Sequence, residues 1–260
     1  MARKASLSGF PEYLPAERLV ENHVLDTLRE TFELHGFSPI ETRSVETIEQ
    51  LLRKGEIDKE VYAISRLQED EAAKAKEKLA LHFDLTVPFA RYVVENAGYL
   101  NFPFSRYQIQ KVWRGERPQE GRAREFTQAD IDVVGLGELP FHYEVDLPLV
   151  MAEALMSLPI PPVHVLVNNR KVVQGVCEGI GVSDVESALR GLDKLDKIGP
   201  EGVREELAEA GLSPEQIDIL LRMAKIRTED ASRLQQEVAA LGVSSETLDQ
   251  GLTELCALVD

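Results

Sequence analysis

The chain has 260 residues, which is enough for one large domain or two smaller ones. Hydrophobic residues make up 43% of the sequence and charged residues 28%, so the chain is not disordered throughout and can bury a sizeable core. Its formal net charge of −16 argues against a general affinity for the phosphates of DNA, although a local basic patch can still hold a nucleotide or a nucleic acid.

The first part of the chain predicts a mixture of helices and extended segments. Apolar residues recur at every fourth position between 20 and 32, which predicts a helix over residues 16–35 that Gly36 can end. The elements expected after it are an extended segment over 37–46, helices over 44–53 and 56–65, a charged connection over 66–78, and a strand from 79 that leads into a helix over 87–96.

The middle of the chain predicts a hairpin, and the end predicts helices alone. Strands are expected over Phe104–Trp113 and Glu125–Val134, followed by a helix over 145–156 and a strand over 163–169. From residue 171 onwards, helical periodicity, glycine breaks and the capping pattern SPEQ predict a helical module. The predicted fold class is therefore α+β, with a mixed-sheet domain over 1–170 and a separate all-helical domain over 171–260.

Charge is distributed unevenly between these parts. Residues 171–260 carry nine basic and 18 acidic side chains, whereas residues 106–124 carry six basic and two acidic ones. A positive island in an acidic chain predicts a small anionic ligand, such as a nucleotide, more than a long polyanion.

Polar side chains fall on one face of the predicted hairpin, because successive side chains of a strand point to opposite faces. This face holds Arg106, Gln108, Gln110, Val112 and Arg114 on the first strand, and Phe126, Gln128, Asp130 and Asp132 on the second. Such a face either contacts a bound polar ligand or is simply exposed to solvent. The earlier segment Asp84–Leu85–Thr86 has a similar ambiguity, since Asp and Thr also serve as caps for the helix that follows.

Other kinds of site find little support in the sequence. The five histidines lie in separate segments without the close spacing of a metal site, and no phosphate-binding glycine motif or serine nucleophile motif occurs. Cys177 and Cys256 match no metal or redox spacing, which favours a reducing, cytoplasmic setting. No apolar run approaches the length of a membrane span, and the first residues lack the apolar core of a signal peptide. We therefore expect no protein metal ligands, no membrane association and no secretion.

Several segments resemble one known family. Residues 112–135 resemble motif 2 of the class II aminoacyl-tRNA synthetases in the form typical of histidyl-tRNA synthetases, with the sequence VWRGERPQEGRAREFTQADIDVVG. Further segments resemble the same family in the same order: GFPEYLP at 9–15, HFDLTVPFARYV at 82–93, VNNRKVV at 167–173 and LDKLDKIG at 192–199. The resemblance implies an antiparallel sheet flanked by helices, with a helical insertion after motif 2 that approaches tRNA.

The resemblance also implies an activity and a set of site residues. The activity is the ATP-dependent activation of L-histidine and its transfer to tRNA(His), with Mg²⁺ accompanying ATP, by a homodimer that pairs through motif 1. Arg114 corresponds to the motif 2 arginine that contacts the α-phosphate and is the candidate catalytic residue. The ATP-binding candidates are Arg114, Glu116, Arg122 and Phe126, and the histidine-binding candidates are Asp84, Leu85, Thr86, Arg114, Gln128 and Asp132.

The sequence departs from the family pattern in two places. Arg43 aligns where motif 1 usually has a proline, which bears on dimer geometry. No segment resembles the family's histidine-specific loop, glycine-rich motif 3 or anticodon-binding domain, so we expect the chain to be an N-terminal part that is inactive alone. An alternative is the synthetase-like regulatory subunit of ATP phosphoribosyltransferase. That paralogue commonly loses motif 2 residues that are present here, which favours the synthetase.

Overall fold

The computed structural model describes residues 7–53, 60–68 and 78–260. The chain divides into two compact units, Met1–Val163 and His164–Asp260. The first unit mixes helices with two small sheets, and the described part of the second contains helices without strands. This arrangement of elements agrees with the predicted α+β class.

The first unit is built around the hairpin of β5 (Phe104–Trp113) and β6 (Glu125–Val134), whose bounds are those predicted. The two strands are antiparallel, and Arg106 lies opposite Asp132 while Gln110 lies opposite Gln128. A short strand, β1 (Ser38–Pro39), pairs in parallel with the outer edge of β5. The register therefore places the polar residues of both strands on one face of a single sheet.

The other face of the hairpin packs against two helices, α1 (Pro15–Leu34) and α4 (His142–Met156). Phe32, Tyr107, Val150 and Ala154 are buried together in this core, with Ile109 and Ile131 beside them. The predicted helix over 16–35 is confirmed, and Pro15 at its first turn with Gly36 after its end explains its length. The hairpin thus has one apolar face, which forms the core, and one polar face.

A second sheet has the order β2–β4–β3, with β2 at Val45–Thr47, β3 at Ala63–Ile64 and β4 at Leu79–Leu81. The strand predicted from 79 is confirmed, and the helix after it, α3, spans Thr86–Asn96 and is followed by a 3-10 turn over 97–99. β4 is therefore the strand that delivers the segment from 82 to 86 to the hairpin.

Two predicted helices in this region are wrong in whole or in part. The helix predicted over 44–53 begins only at Ile48, as α2 (Ile48–Leu52), because Val45–Thr47 pairs with β4 and the Thr47 hydroxyl caps the helix by accepting the Gln50 N–H. Of the helix predicted over 56–65, residues 60–65 form no helix and contribute β3 instead. Its remaining residues, 56–59, and most of the predicted connection over 66–78 lie outside the described residues.

The strand predicted over 163–169 is also wrong. These residues form neither a helix nor a strand and pair with no described strand, and Leu166 is 82% exposed. A strand is stabilised by its ladder of backbone hydrogen bonds, so an alternating apolar sequence without a neighbouring strand forms none.

The second unit packs six helices around one apolar core: α5 (Arg170–Gly179), α6 (Val185–Leu192), α7 (Leu195–Glu209), α8 (Pro214–Met223), α9 (Ala231–Ala239) and α10 (Glu246–Val259). The SPEQ pattern caps α8 as predicted, because the Ser213 hydroxyl accepts the Gln216 backbone N–H and the Gln216 side-chain oxygen accepts the Ser213 backbone N–H. Cys177 and Cys256 are both buried thiols of this core.

The contact between α5 and α10 is close because each helix places a glycine against the backbone of the other. A Cβ added at Gly175 would lie 2.2 Å from the Leu248 nitrogen, and one added at Gly251 would lie 2.6 Å from the Val172 nitrogen. Real Cβ atoms do not approach backbone so closely, so any side chain here must push the helices apart.

We expect Gly175→Ala to lower the free energy of unfolding of the helical unit by about 1–3 kcal/mol, the range for overpacking a core. Urea unfolding followed by far-ultraviolet circular dichroism measures this loss. Gly98→Ala is the matched control, because its added methyl group meets no atom within 4 Å. Equal midpoints for Gly175→Ala and the parent would show that the two helices are not held at this distance.

Candidate active site

A cavity of about 960 Å³ lies at the loop end of the hairpin. It is lined by Leu7, Ser8, Gly9, Phe10, Pro11, Tyr13, Arg114, Glu116, Pro118, Gln119, Gly121, Arg122, Ala123 and Phe126. One wall is therefore the segment before α1, and the other is the hairpin loop with the ends of its strands. The four residues expected from the resemblance to bind ATP all line this cavity.

Arg114 is the side chain around which the site is organised. Its guanidinium contacts two aromatic rings, 4.7 Å from the centre of the Phe83 ring and 5.0 Å from that of Phe126. Its Nε donates a hydrogen bond to the Phe83 carbonyl oxygen at 3.3 Å, and an Nη donates to Oε1 of Gln128 at 3.2 Å. The cation is thus fixed in direction while still lining the cavity.

A polar chain runs from Arg114 along β6. The Gln128 amide that accepts from Arg114 donates in turn to the carboxylate of Asp130, at 2.9 and 3.1 Å from its two oxygens. These contacts connect the residues of the cavity to the rest of the polar face. They place Gln128 between Arg114, which lines the cavity, and Asp130 on the polar face.

Asp132, further along the same face, forms an ion pair with Arg106 on the neighbouring strand, with 2.5 Å between Nη2 and Oδ2. The Arg106 side chain is 0% exposed, whereas that of Asp132 is 38% exposed. Burial raises the pKa of Asp132 and the Arg106 charge opposes that rise, while burial lowers the pKa of Arg106. The interpretation of this face as simply solvent-exposed is wrong for β5, because Arg106, Gln108 and Gln110 are all buried.

The segment Asp84–Leu85–Thr86 lies where β4 ends and α3 begins. Asp84 and Leu85 are buried, Thr86 is the first residue of α3 and is exposed, and Asp84 accepts the Val87 N–H at 3.3 Å. Asp84 therefore satisfies one N–H of the first turn of α3, although the N-cap residue is Leu85. This contact does not exclude ligand binding, since a carboxylate accepts several hydrogen bonds.

The hairpin loop is held by hydrogen bonds to its own backbone and to the opposite wall. Arg122 pairs with Glu116 at 3.4 Å, and Arg124 donates to the Glu116 carbonyl oxygen at 3.0 Å. The N–H groups of Arg124 and Glu125 both donate to the Gly9 carbonyl oxygen, at 2.7 and 3.1 Å. Gly9 has φ +82°, and a Cβ there would lie 2.8 Å from Cγ of Arg124.

Sequence reasoning did not single out Gly9 or Arg106 as functional candidates. The signal for Arg106 was present, because strand alternation already placed it on the face of Asp132. The alternation pattern gave no indication, however, that the Arg106 side chain is fully buried. Gly9 belongs to a recognised segment, but its contact with the hairpin joins residues more than a hundred positions apart.

His82, beside this site, is completely buried. Its Nε2 lies 2.7 Å from the Lys111 carbonyl oxygen, and its ring centre lies 5.5 Å from that of Trp113. Burial lowers the pKa of His82, and the hydrogen bond to Lys111 opposes this in part. The neutral ring, donating from Nε2, is the form that fits this position.

The lowered pKa of His82 makes the stability of the first unit depend on pH. Below about pH 6.5, His82 binds a proton more readily in the unfolded chain than in the folded chain. The free energy of unfolding should therefore fall by up to about 1.4 kcal/mol for each pH unit by which the pH is lowered. Above that pH both states are neutral and this effect vanishes. Urea unfolding followed by the fluorescence of Trp113, the single tryptophan, measures it.

His82→Gln should remove this part of the pH dependence, since an amide can donate to Lys111 but does not titrate. Exposed His23 on α1 provides the control His23→Gln. An unchanged slope between pH 5 and 6.5 in His82→Gln would contradict the assignment.

The described residues contain neither a metal cluster nor a membrane-spanning helix. Within 7–53, 60–68 and 78–260, no three His, Cys, Asp or Glu side chains are grouped so that they could hold a metal ion. No helix in these same ranges is long and apolar enough to cross a membrane.

The fold and the polar hairpin together are those of a class II aminoacyl-tRNA synthetase core. A crystal structure of histidyl-tRNA synthetase from a Nostoc species is similar over 100% of this chain and 57% of its own, with a TM-score of 0.84 and 33% identity. Residues 9–260 match the family described as histidyl-tRNA synthetase. The chain belongs to that family.

Two sequence relatives are closely similar along the whole chain. Histidine–tRNA ligase of Micrococcus luteus is 64% identical, and that of Cutibacterium acnes is 55% identical. Each alignment includes 100% of this chain but only 59% and 58% of the relatives. The chain therefore spans less than two thirds of their length.

One further solved structure is described by the names of both proteins considered from the sequence, the synthetase and the regulatory subunit. It is described as an ATP phosphoribosyltransferase regulatory subunit/histidyl-tRNA synthetase from Bacillus halodurans, and it matches 99% of this chain with a TM-score of 0.80. At 19% identity this similarity shows the fold alone.

Proposed function

We propose that the protein is a histidine–tRNA ligase, which activates L-histidine with ATP and transfers it to tRNA(His). The observation that carries the proposal is the position of Arg114. Its guanidinium lines the cavity and bonds to Gln128 on the polar face of the same hairpin. A triphosphate and an amino acid bound on either side of this cation would meet at it.

Arg114 is the proposed catalytic residue. In the activation step a carboxylate oxygen of histidine forms a bond to the α-phosphorus of ATP, the bond from that phosphorus to the bridging oxygen breaks, and pyrophosphate leaves. Negative charge develops on the α-phosphate oxygens in the transition state, and a fixed guanidinium stabilises it. The Phe83 and Phe126 rings and two hydrogen bonds fix Arg114 in advance, so little reorganisation is needed.

The cavity is the proposed ATP site, with Mg²⁺ arriving on the triphosphate as part of the substrate. Phe126 offers a ring for stacking on adenine, as aromatic side chains do with nucleobases. Glu116 would accept a hydrogen bond from the adenine amino group, and Arg122 would contact the outer phosphates. Arg122 now pairs with Glu116 across 3.4 Å, an exposed contact that a phosphate can replace at small cost.

The polar face beyond Gln128 is the proposed histidine site. Asp84, Leu85 and Thr86 would surround the α-amino group together with Gln128, and Asp132 would accept a hydrogen bond from the imidazole. Asp84 and Gln128 are on neighbouring elements joined through Arg114, which bonds to both Phe83 and Gln128. This arrangement would hold the carboxylate of histidine towards the guanidinium.

The helical domain over 171–260 is proposed to be an insertion that approaches tRNA, and the domain over 1–170 to be the catalytic core. We place the protein in the cytoplasm, where tRNA is charged in bacteria such as those of the named relatives.

The test is histidine-dependent exchange of pyrophosphate into ATP, measured with the complete product of the gene that encodes this chain. Exchange that requires L-histidine and is not supported by the other amino acids is expected. A protein that binds histidine but exchanges no pyrophosphate would contradict the proposal and would fit a regulatory subunit. Charging of tRNA(His) and of no other tRNA is the second expected result.

A homodimer through motif 1 is also proposed, with α1 and the strand after it at the interface. The C-terminal half of α1 packs on the hairpin core through Phe32, whereas Leu19 and Val20 in its first half are 70% and 65% exposed. Exposed apolar neighbours on one helix are typical of a surface that another subunit covers.

Sedimentation at tens of micromolar should therefore show dimers, and Leu19→Asp with Val20→Asp should shift them to monomers. Asn22→Ala with His23→Ala, at two exposed polar positions nearby on the same helix, is the control and should remain dimeric. Monomers in the parent protein would contradict the proposal.

A further inference from the structure

We infer that Arg106 is a positioning residue that holds Asp132 as a fixed anion, so that Asp132 can accept the N–H of the histidine imidazole. The inference rests on the proposed function and adds a residue to it. Arg106 would act through Asp132, without touching the substrate itself.

The neighbouring side chains fix the orientation of the Arg106 guanidinium. Arg106 lies opposite Asp132 in the register of β5 and β6, and its guanidinium packs 4.1 Å from the centre of the Phe89 ring on α3. The ring covers the cation from one side, and the ion pair of 2.5 Å holds it at the other. A guanidinium confined in this way fixes the carboxylate that it contacts.

The two residues of the pair differ in solvent exposure, which indicates that Arg106 supports Asp132 and that Asp132 contacts the ligand. Arg106 is fully buried, while more than a third of the Asp132 side chain is open. A carboxylate accepts about four hydrogen bonds, so one ion pair leaves Asp132 with capacity for an imidazole N–H. A ligand can reach the carboxylate but not the guanidinium.

The charges around Asp132 explain why it needs a cation. Burial and the neighbouring Asp130 both raise the pKa of Asp132, and Arg106 is the group that lowers it. Among the described residues, Arg106 on β5 and Asp130 on β6 are the charged groups identified as acting on this carboxylate. Without Arg106 the acid would bind a proton more readily and lose the charge with which it accepts the imidazole N–H.

A stabilising role alone does not account for the pair. Taking two charges out of water costs so much that a buried ion pair is often no more stable than apolar side chains of the same volume. A fully buried arginine beside a carboxylate that is 38% exposed is therefore explained better by ligand binding at the carboxylate than by the stability of the sheet.

The experiment compares histidine KM in pyrophosphate exchange for the complete gene product and its Arg106→Met variant between pH 6 and pH 8.5. The readout is the ratio of variant to parent KM at each pH, because the titration of free histidine cancels in it. We expect a ratio of about 30 near pH 6 that decreases as the pH rises, with the KM for ATP within about twofold of the parent. Arg106→Lys keeps the charge and should restore a ratio near one that does not change with pH.

Arg91→Met is the matched control, because Arg91 is 12% exposed and pairs with the buried carboxylate of Glu46 at 2.8 Å in the same unit. It should lower stability without a pH-dependent histidine KM ratio. If Arg106→Met does not fold, Arg106→Gln replaces it, since glutamine can still donate to Asp132 but carries no charge.

A histidine KM ratio that is the same at every pH, or an equal rise in the KM for ATP, would overturn the inference and leave Arg106 a residue of the scaffold. Failure of the proposed function looks different, because the parent protein would then show no histidine-dependent exchange at all.

Discussion

Arg114→Ala should lower the kcat of histidine-dependent pyrophosphate exchange by about 10²–10³, the usual effect of removing one donor that stabilises a developing negative charge. The KM values for histidine and ATP should change much less, because the contact strengthens in the transition state. Arg114 is already held by contacts with the Phe83 and Phe126 rings and by a hydrogen bond to Gln128, so alanine removes a positive charge whose position is fixed before the substrates bind. Steady-state exchange kinetics with both substrates varied measure the effect.

Arg117→Ala is the control, because Arg117 is an exposed arginine of the same loop and its loss changes the local charge equally. Its kcat should stay within a few-fold of the parent. A fall in kcat/KM for Arg114→Ala that came entirely from KM would mean that the guanidinium holds ground-state ATP without assisting the chemical step.

Asp132→Ala should raise the histidine KM far more than the ATP KM. The loss of one charged hydrogen bond costs on the order of 2 kcal/mol, which is about 30-fold in affinity for histidine. The same change leaves the buried guanidinium of Arg106 without its ion pair, so the free energy of unfolding should fall as well. Kinetics and urea unfolding on the same preparation separate the two effects.

ATP serves as the internal control for Asp132→Ala, since Asp132 does not line the cavity. Equal losses for the two substrates would refute the role assigned to this carboxylate. Asp26→Ala removes an exposed carboxylate that pairs with Arg29 on α1, and it should alter neither KM.

The hairpin was the part of the fold that the sequence predicted best. Alternation of apolar and polar residues over ten positions determines both the strand and the face of each side chain, so β5 and β6 have the predicted bounds. Shorter segments were predicted less well. Residues 45–47 and 63–64 form strands because β4 lies between them, and no local pattern shows that neighbour.

At the candidate site, the sequence predicted which side chains share a face of the hairpin but not how they contact one another. Side-chain parity placed Phe126, Gln128 and Asp132 on one face, and the register of the strands agrees with this. The link from Arg114 through Gln128, and the burial of Arg106 opposite Asp132, depend on distances across the sheet. These distances follow from packing, which a single sequence does not specify.

Because the contact at Gly9 helps to form one wall of the cavity, the correct assignment of the start codon affects the shape of the site. The Gly9 carbonyl oxygen accepts two N–H groups at the base of β6, and residues 7–11 form one wall of the cavity. A start codon assigned only about ten codons too late would give a protein with every motif 2 residue but without that wall. Such a product could be purified without any sign of the missing residues, yet its cavity would be open on one side.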